Sequence, residues 1–509
     1  MLENIELSRQ AMQIRLDAGK TLLERNVWGQ YATPPKLADE ILEYAETLLP
    51  PDSKIRFLDP AIGTGAFYSS LLKMFSSKRI ERSTGFEKDE RVAVECLRLW
   101  ESKGLDLHVN DFTLAKIPQE ERDKANLVIC NPPYIRHHHL SGDDKARLKS
   151  LSKAITDCDF GGLTGYYGYF MAICHAWMAQ GAVAGWLIPS EFMDVNYGRE
   201  IKKYLLSRIT LLRIHRYDPE DVQFDDALVS SSIVWFTNTP PAPDHEIEFT
   251  FGGSLKKPEK RKFITTAAAS TARKWSILPL TRGKPKAAAS ACKLSDLFTV
   301  KRGLATGANE FFILSPAQIA EHNLPAQFLT PILPSSRYLQ DDIVEADSKG
   351  DPILDQKLYL LNCSLPEEKI KSDFPSLWKY LQKGVEMGVS ERYLCKSRTL
   401  WYLQENRPPA PILCTYMGRN NKSTGKPFRF ILNRSNATAA NGFLMIYPKW
   451  NLFNGDFNNP KFVTFIWRKL NNLSADDITD EGRVYGGGLY KIEPKELGNL
   501  QIDLSKTPE

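Results

Sequence analysis

The sequence has no run of about 20 apolar residues, no Cys-x-x-Cys pair and no low-complexity tract beyond two short alanine-rich patches. The first absence argues against a membrane-spanning helix, and the acidic first residues lack the apolar core of a secretion signal. The eight cysteines are scattered, so they predict neither a zinc site nor a disulfide framework. We therefore expect a cytoplasmic protein with reduced thiols, no membrane partner and no metal.

What is present is an ordinary globular composition, with 11% aromatic and 25% charged residues over 509 positions. A chain of this length is expected to form two or three domains. Its charge is uneven, because residues 1–240 carry a net charge of −4 and residues 241–509 a net charge of +9. The clearest basic run begins at Lys256 and continues to Lys286. It is either a solvated linker or an arm that contacts phosphates.

The first half contains a strand, a glycine-bearing turn and a helix in succession. Arg56-Phe-Leu58 is a short apolar strand, the turn is Asp59-Pro-Ala-Ile-Gly-Thr-Gly65, and residues 66–75 have a helical pattern. In nucleotide-binding doubly wound sheets, such glycines let the backbone approach a ligand that faces the helix N-terminus. The pattern therefore predicts the first unit of an α/β fold of this kind.

Acidic residues follow the next two predicted strands. The strand at 83–86 ends at Glu87, where a carboxylate would bind ribose hydroxyls or, alternatively, cap a helix. The strand at 105–109 is followed by Asn110, Asp111 and Phe112. Because open α/β sheets bind ligands at the carboxyl ends of their strands, these positions predict a ligand site.

The fourth predicted strand, 126–130, ends in the motif Asn131-Pro132-Pro133-Tyr134. Two prolines prevent further strand pairing and an immediate helix, so the motif is held at a strand tip. Asn131 Oδ1 and the Pro132 carbonyl can accept hydrogen bonds from the N–H groups of an amide-like nitrogen, and the Tyr134 ring offers a stacking surface. The alternative is a Pro-Pro loop with a capping asparagine.

Three more strands, at 182–188, 211–214 and 228–236, are predicted to complete the sheet. Helices are predicted for residues 1–28, 34–48, 166–180 and 197–207. The polar loop at 135–163 contains His137, His138 and His139, which we assign to loop contacts because three adjacent residues cannot share one face of an element.

Pro240-Pro-Ala-Pro243 marks a break after the last predicted strand. The predicted domains are 1–240, a basic linker or arm at 241–290, and 291–509. The last domain has short apolar runs, with aromatic residues interleaved with arginine and asparagine, which suit a reader of a DNA groove.

The order of these motifs resembles that of the gamma-class adenine-N6 DNA methyltransferases of type II restriction-modification systems, typified by the TaqI enzyme. The motifs that carry the resemblance are Thr33-Pro-Pro35, the turn at 59–65, Glu87, Asp111 and Asn131-Pro-Pro-Tyr134. The resemblance covers residues 25–240 with specific motifs and continues more weakly through the second half. It implies a doubly wound, Rossmann-like methyltransferase sheet that binds S-adenosylmethionine, followed by a mixed α+β target-recognition domain.

The resemblance also implies residue roles. The expected cofactor-binding residues are Tyr31, Thr33, Asp59, Ala61, Ile62, Gly63, Gly65, Glu87, Asp111, Phe112 and Phe170. Phe170 fits a helix core equally well. Catalysis is assigned to Asn131, Pro132, Pro133 and Tyr134, without a cysteine nucleophile. The target adenine would leave the duplex and stack on Tyr134, with Phe224 as a second aromatic contact or as a core residue.

Double-stranded DNA is the partner that the resemblance implies, with a cognate restriction endonuclease as a further candidate, and the protein is expected to be a bacterial or archaeal monomer or weak dimer. Three alternatives stay open. Asn-Pro-Pro-Tyr also occurs in enzymes similar to RNA-base methyltransferases and to protein glutamine-N5 methyltransferases. The chain could also be a DNA-recognition subunit of a larger complex.

Overall fold

The computed structural model describes residues 2–219, 221, 223, 230–280, 291–421, 424–449 and 460–505. The chain divides into two compact units. The first unit is Met1–Gly283 with Tyr485–Gly487, and the second is Lys284–Val484 with Gly488–Glu509. Each unit has its own clusters of buried apolar side chains.

The first unit contains helices and strands in alternation along most of its length. Its helices are α1 (Leu2–Ala18), α2 (Leu22–Trp28), α3 (Pro35–Leu48), α4 (Ala66–Met74), α5 (Glu90–Trp100), α6 (Gly142–Thr156), α7 (Tyr166–Cys174), α8 (Arg199–Ser207) and α9 (Thr266–Thr271). Its strands are β1 (Ile55–Asp59), β2 (Ile80–Glu87), β3 (Leu105–Val109), β4 (Ala125–Cys130), β5 (Met178–Pro189), β6 (Thr210–Arg216), β7 (Ser231–Thr237), β8 (Glu246–Gly253) and β9 (Pro258–Thr265).

Within the described residues, these strands form one nine-stranded sheet in the order β3-β2-β1-β4-β5-β7-β6-β8-β9. Strands β1 to β5 pair in parallel, β7 lies antiparallel to both β5 and β6, and β8 is parallel to β6. The strand order reverses between β1 and β4. Such a reversal opens a crevice at the carboxyl ends of the two strands, where α/β sheets bind ligands.

The central strands are buried on both faces, which confirms the predicted doubly wound α/β class. In β1 and β4, Phe57, Leu127 and Ile129 belong to one cluster of buried side chains. Their neighbours Leu58 and Val128 belong to the other cluster. Successive side chains of a strand point to opposite faces, so each face of the sheet carries its own core.

The first predicted helix, 1–28, is two helices in the structure. Chain direction changes at 19–21, where Thr21 caps α2 by accepting from Glu24 N–H at 3.2 Å, while the Glu24 carboxylate accepts from Thr21 N–H at 2.8 Å. This capping box starts a new helix instead of continuing the old one. The helix predicted at 166–180 also ends early, because β5 begins at Met178.

The predicted end of the sheet after its seventh strand is wrong. Residues 246–265, expected to be a basic linker or arm, form β8 and β9. Beyond them, Trp275 is fully buried and its Nε1 donates to the Ala269 carbonyl at 2.8 Å. The basic run at 256–262 therefore belongs to an edge hairpin, while its continuation at 282–286 lies outside the described residues.

From residue 291 onward the structure is mixed α+β, as predicted. The helices are α10 (Leu294–Leu297), α11 (Asn309–Phe312), α12 (Pro316–Glu321), α13 (Glu367–Asp373), α14 (Pro375–Glu386), α15 (Tyr393–Lys396), α16 (Pro460–Asn472), α17 (Ala475–Thr479) and α18 (Pro494–Gly498). The strands are β10 (Ala291–Lys293), β11 (Phe298–Arg302), β12 (Ile313–Leu314), β13 (Leu329–Leu333), β14 (Ile343–Val344), β15 (Tyr359–Leu361), β16 (Ile412–Thr415), β17 (Met417–Gly418), β18 (Phe430–Asn433), β19 (Thr438–Ala439), β20 (Phe443–Pro448), β21 (Arg483–Tyr485), β22 (Leu489–Lys491) and β23 (Gln501–Asp503).

The centre of the second unit is a sheet in the order β11-β20-β16-β18-β14 among the described residues. Its inner strands are again buried on both faces. Ile412 and Ile446 pack into one cluster, whereas Leu413, Ile431 and Met445 pack into another. This alternation fixes the register of the sheet, because a slip by one residue would exchange the two faces.

Gly65 and Gly104 offer a matched test of the packing around the glycine turn. Both have φ in the left-handed region, +88° and +86°. A Cβ on Gly65 would lie 2.5 Å from Trp100 Nε1, whereas nothing lies within 4 Å of a Cβ on Gly104. We expect Gly104→Ala to cost only the conformational term, about 1–2 kcal/mol. Gly65→Ala adds about 1–3 kcal/mol of overpacking. Urea unfolding measures both, and equal losses would contradict this account.

Candidate functional site

Four polar side chains that follow four neighbouring strands lie on one edge of the sheet. Asp59 ends β1, Glu87 ends β2, Asp111 follows β3 and Asn131 follows β4. The four strands are parallel, so their carboxyl ends meet at the same edge. The reversal of strand order between β1 and β4 places Asp59 and Asn131 at the crevice itself.

The side-chain amide of Asn131 is held in one orientation by two acceptors. Its Nδ2 donates to the Tyr31 carbonyl at 2.9 Å and to Thr33 Oγ1 at 3.1 Å. Both amide hydrogens are thereby used. Asn131 Oδ1 is buried and has no hydrogen-bond partner among the described residues. A buried acceptor without a partner costs about 1–3 kcal/mol, so an atom of this kind marks a place where a ligand donor fits.

The rest of the motif fixes the loop that carries this amide. Tyr134 is 8% exposed, its hydroxyl donates to the Leu187 carbonyl at 3.0 Å, and its backbone N–H donates to the Gly29 carbonyl at 3.1 Å. Its ring lies 5.7 Å from that of Tyr31. The Pro132 carbonyl accepts no backbone hydrogen bond in the described part of the chain. Two acceptors of the motif thus remain available.

The two glycines of the turn have different roles. Gly63 has φ +56°, no atom lies within 4 Å of the position of a Cβ, and its N–H donates to Glu87 Oε2 at 3.1 Å. The space beside Gly63 is therefore open to a ligand. Gly65 instead faces Trp100, whose Nε1 donates to the Thr64 carbonyl at 2.8 Å. Gly65 is thus required by packing.

Two carboxyl groups flank the turn, the buried Asp59 and the partly exposed Glu87. Asp59 is 1% exposed and accepts from Ala61 N–H at 3.1 Å. Burial, with the Glu87 carboxylate nearby, raises the pKa of Asp59 from 3.8 to about 8. Burial also raises the pKa of Glu87, although the backbone N–H groups of Asp89 and Gly63 favour its charged form. A cationic ligand in this place would offset the cost of charging both groups.

The pKa of Asp111 is lowered, in contrast to those of Asp59 and Glu87. Burial works against its charge, but hydrogen bonds from Thr113 and Lys88 outweigh burial and lower its pKa. Its Oδ1 accepts from Thr113 N–H at 2.9 Å, and its Oδ2 accepts from Lys88 Nζ at 3.1 Å. Tyr166 donates to the same carboxylate at 3.4 Å. Asp111 is therefore a fixed anionic acceptor at the tip of β3.

Aromatic rings form an apolar wall beside Asp111. The Phe112 ring lies 5.1 Å from Phe170 and 5.2 Å from Phe86 and Trp177. Phe170 is 3% exposed and also lies 5.5 Å from Tyr166. Phe170 belongs to the core and also lines the cavity described below.

The N-terminal helix α1 closes the site through contacts that the sequence did not predict. Arg9 is 2% exposed, forms a bidentate pair with Glu6 at 2.7 and 2.8 Å, and donates to Thr64 Oγ1 at 3.2 Å. At its other end, Lys20 donates to Asp89 Oδ2 at 2.7 Å. Residues 2–20 are therefore attached at the glycine turn and at the start of α5.

One cavity joins these elements. It is lined by the side chains or backbone of Gln13, Leu16, Asp17, Lys20, Trp28, Gly29, Gln30, Tyr31, Ala32, Pro60, Ala61, Gly63, Phe86, Glu87, Lys88, Asp89, Val92, Asn110, Asp111, Phe112, Asn131, Pro133, Ile135, Tyr166 and Phe170. Nine of the sequence-predicted residues are in this lining.

Six predicted residues do not line it. Thr33, Asp59, Ile62, Gly65, Pro132 and Tyr134 are outside its lining. Phe224 lies outside the described residues. Eight of the sixteen lining residues that sequence analysis missed lie in the N-terminal segment 13–32, and the others lie beside the strand tips and their loops. The amphipathic pattern of 1–28 identified a helix but not the residues that reach the cavity.

His137, His138 and His139 form a single short helical turn after the motif. Among the described residues, no group of histidine, cysteine, aspartate and glutamate side chains has the arrangement of a metal site. In the same part of the chain, no helix is both long and apolar enough to cross a bilayer.

The raised pKa of Asp59 gives a pH dependence that can be measured. The folded protein retains a proton on Asp59 that the unfolded chain releases above pH 3.8, so this group lowers stability as pH rises from 3.8 to about 8. We expect the free energy of unfolding of Asp59→Asn, minus that of the wild type, to increase by up to about 1.4 kcal/mol per pH unit in that window. Urea unfolding at pH 5 and pH 8 tests this, with the exposed Asp52→Asn as control. Parallel curves for wild type and Asp59→Asn would contradict it.

Comparison with known proteins identifies the family of this chain. The family model for Eco57I restriction-modification methylases matches residues 55–223, which include the strand tips, and the model for the C-terminal domain of the type II methyltransferase M.Eco57I matches residues 283–509. Type II methyltransferase M.AccI of Acinetobacter calcoaceticus is 26% identical over 95% of this chain and 87% of its own length. Type II methyltransferase M.XamI of Xanthomonas campestris pv. amaranthicola is 28% identical over 88% and 81%.

A solved structure resembles the chain over most of its length. The type IIL restriction-modification enzyme MmeI, solved in complex with DNA, has a TM-score of 0.53 and 13% identity, covering 91% of this chain and 64% of that one. This likeness concerns the fold. The two family models and the two relatives together show that the chain belongs to the DNA methyltransferases of type II restriction-modification systems.

Proposed function

We propose that this protein transfers a methyl group from S-adenosylmethionine to N6 of adenine in double-stranded DNA. The observation that carries the proposal is Asn131. Its amide is held by Tyr31 and Thr33, the residue lines the crevice, and its Oδ1 is buried and lacks a protein donor among the described residues. An exocyclic amino group is a donor of the kind that such an acceptor needs.

The cavity fits the proposed cofactor. Its lining combines the open space at Gly63, a carboxyl group at Glu87, a fixed anionic acceptor at Asp111 and the aromatic wall of Phe112 and Phe170. Carboxylates at strand tips bind ribose hydroxyls and amino groups, and the aromatic wall suits an adenine ring. When bound, S-adenosylmethionine supplies a methyl group activated by a sulfonium.

The protein's contribution to the reaction is positioning and hydrogen bonding. The lone pair of an aromatic amino nitrogen is delocalised into the ring, so the nitrogen is a weak nucleophile. Asn131 Oδ1 and the Pro132 carbonyl would accept hydrogen bonds from its two N–H groups and favour a more tetrahedral nitrogen. Both acceptors are in place before the substrate arrives, so they cost no reorganisation during the reaction.

Among the described residues that line this crevice there is no cysteine for a covalent mechanism. Cys130 precedes Asn131 but is fully buried, and burial together with Asp59 raises the pKa of its thiol well above the ordinary range. A thiol in that state is not ionised at neutral pH and is inert as a nucleophile. Cys130 is therefore a core residue of β4, and direct transfer to an amino group suits the site better than attack on a ring carbon.

We also propose that the second unit recognises the DNA sequence. The match of residues 283–509 to the C-terminal domain of a type II methyltransferase supports this division of labour, as does the DNA complex of the structurally similar MmeI. Phe224, by the resemblance to the gamma class, would contact the displaced base. A cognate endonuclease is a candidate partner in the cell.

Transfer of radiolabelled methyl groups to unmethylated plasmid DNA tests the proposal, with the product nucleoside identified by chromatography. We expect N6-methyladenine from the wild type and a loss of at least about a hundredfold in kcat for Asn131→Ala. Asn126→Ala is the matched control, because it changes the same residue type at the amino end of the same strand, β4. It should retain activity.

The other outcomes identify the alternatives. Label on the N4 amino group of cytosine would keep the mechanism and change the base. Label on RNA or on a protein glutamine would keep the fold and overturn the DNA substrate. Binding of the cofactor and DNA without transfer to any acceptor would indicate a recognition subunit that needs a catalytic partner.

Thr33 provides a second test, because it holds the Asn131 amide through its hydroxyl. Thr33→Val removes this acceptor and lets the amide turn, so we expect kcat to fall about 5- to 30-fold, as for loss of one hydrogen bond of 1–2 kcal/mol. Thr33→Ser keeps the hydroxyl and should retain kcat. Calorimetry of cofactor binding distinguishes the hydrogen bond from Asn131 to Thr33 from a direct contact of Thr33 with the cofactor. Weaker cofactor binding by Thr33→Val with kcat intact would refute the positioning role.

A further inference from the structure

The hairpin of β8 and β9 places a basic turn on the same edge of the sheet as the reaction site. Strand β8 is parallel to β6, which has the same direction as β5, β4 and β1. The carboxyl end of β8 is therefore on the edge that carries Asn131. The turn that follows it contains Lys256 and Lys257, and β9 continues with Lys260 and Arg261.

The turn has a defined shape. Ser254 N–H donates to the Lys257 carbonyl at 3.2 Å, and Lys257 N–H donates back to Ser254 Oγ at 3.1 Å. Leu255 is 1% exposed and its N–H donates to the Glu40 carboxylate of α3. Gly253 has φ +62°, and a Cβ there would lie 2.5 Å from the Lys257 carbonyl, so only glycine allows this tight turn.

The basic side chains divide into two groups. Lys256 pairs with Glu43 at 2.6 Å, and Arg261 pairs with Glu248 at 2.8 Å. Lys257 and Lys260 are exposed and have no ion pair in the part of the chain that the structure describes. They are therefore available to an anionic partner without breaking an internal contact.

The distance from the reaction site follows from the sheet. Four strand steps separate β4 from β8, and at about 4.8 Å per step the turn is roughly 19 Å from Asn131 along the edge. Helix α3 connects the two places. It begins just after Thr33, which binds Asn131, and Glu40 in its second turn binds Leu255.

We propose that Lys257 and Lys260 bind the phosphate backbone of the DNA on one side of the target base. At about 3.4 Å per nucleotide, a separation of roughly 19 Å corresponds to five or six nucleotides. The two lysines would contribute affinity without sequence information and would fix the position of the duplex along the catalytic edge. The inference rests on the proposed function for the location of the target base.

The test is the salt dependence of DNA binding, measured without cofactor by fluorescence anisotropy on a 40-base-pair duplex of mixed sequence. Each phosphate contact contributes about 0.9 to the slope of log K against log salt concentration. We expect the double variant Lys257→Gln and Lys260→Gln to reduce the slope by about 2. The control variant Lys54→Gln and Lys78→Gln changes two exposed lysines at the amino ends of β1 and β2, on the opposite edge. It should leave the slope unchanged.

An unchanged slope in the first variant would overturn the inference, as would equal reductions in both variants, which would indicate a non-specific effect of net charge. Thermal unfolding confirms that each variant is folded. Because the assay contains no cofactor and follows no methyl transfer, its result is separate from the proposed reaction. Phosphate ethylation interference on a methylated site then locates the contact. Ethylation is expected to prevent binding at phosphates five or six nucleotides from the modified base on one side.

Discussion

The site depends on the way that one side-chain amide is held. Asn131 gives both of its amide hydrogens to Tyr31 and Thr33, so its oxygen points away from these two acceptors, in a residue that lines the crevice. The buried oxygen costs stability in the absence of a donor, which is the kind of local conflict that proteins retain at functional sites. The rest of the first unit keeps this arrangement in place. The proline pair ends the strand, and Tyr134 anchors the loop through its hydroxyl and its backbone N–H.

The sheet provides the remaining groups at no conformational cost, because its parallel strands deliver Asp59, Glu87 and Asp111 to the same edge as Asn131. The N-terminal helix then covers this edge. Arg9 of this helix reaches the glycine turn, and Lys20, just beyond the end of the helix, reaches the residue that caps α5. The cavity thus has one wall from the strand tips and another from a separate part of the chain, so its shape depends on the hydrogen bond and the ion pair between them.

The sequence identified the parts of the site that have short, local signals. The glycine turn, the acidic strand ends and Asn131-Pro-Pro-Tyr134 stand directly beside the apolar runs that form β1 to β4, so their positions follow from strand periodicity. The contacts of Arg9 and Lys20 could not be found in this way, because they join residues 55 and 69 positions apart. Strand β9 was missed because its charged run, residues 259–262, obscures the alternation of an edge strand. Strand β8 has a clear alternation, Glu246-Ile-Glu-Phe-Thr-Phe251, but the break predicted at residues 240–243 ended the sheet before it.

The most direct measurement is a crystal structure of the protein with a methylatable duplex and an S-adenosylmethionine analogue that lacks the transferable methyl group. The account predicts that the adenine has left the duplex and that its amino nitrogen lies within about 3 Å of Asn131 Oδ1, while Nδ2 still donates to Tyr31 and Thr33. An Asn131 amide turned the other way, or an amino group bound by other acceptors, would contradict the central claim.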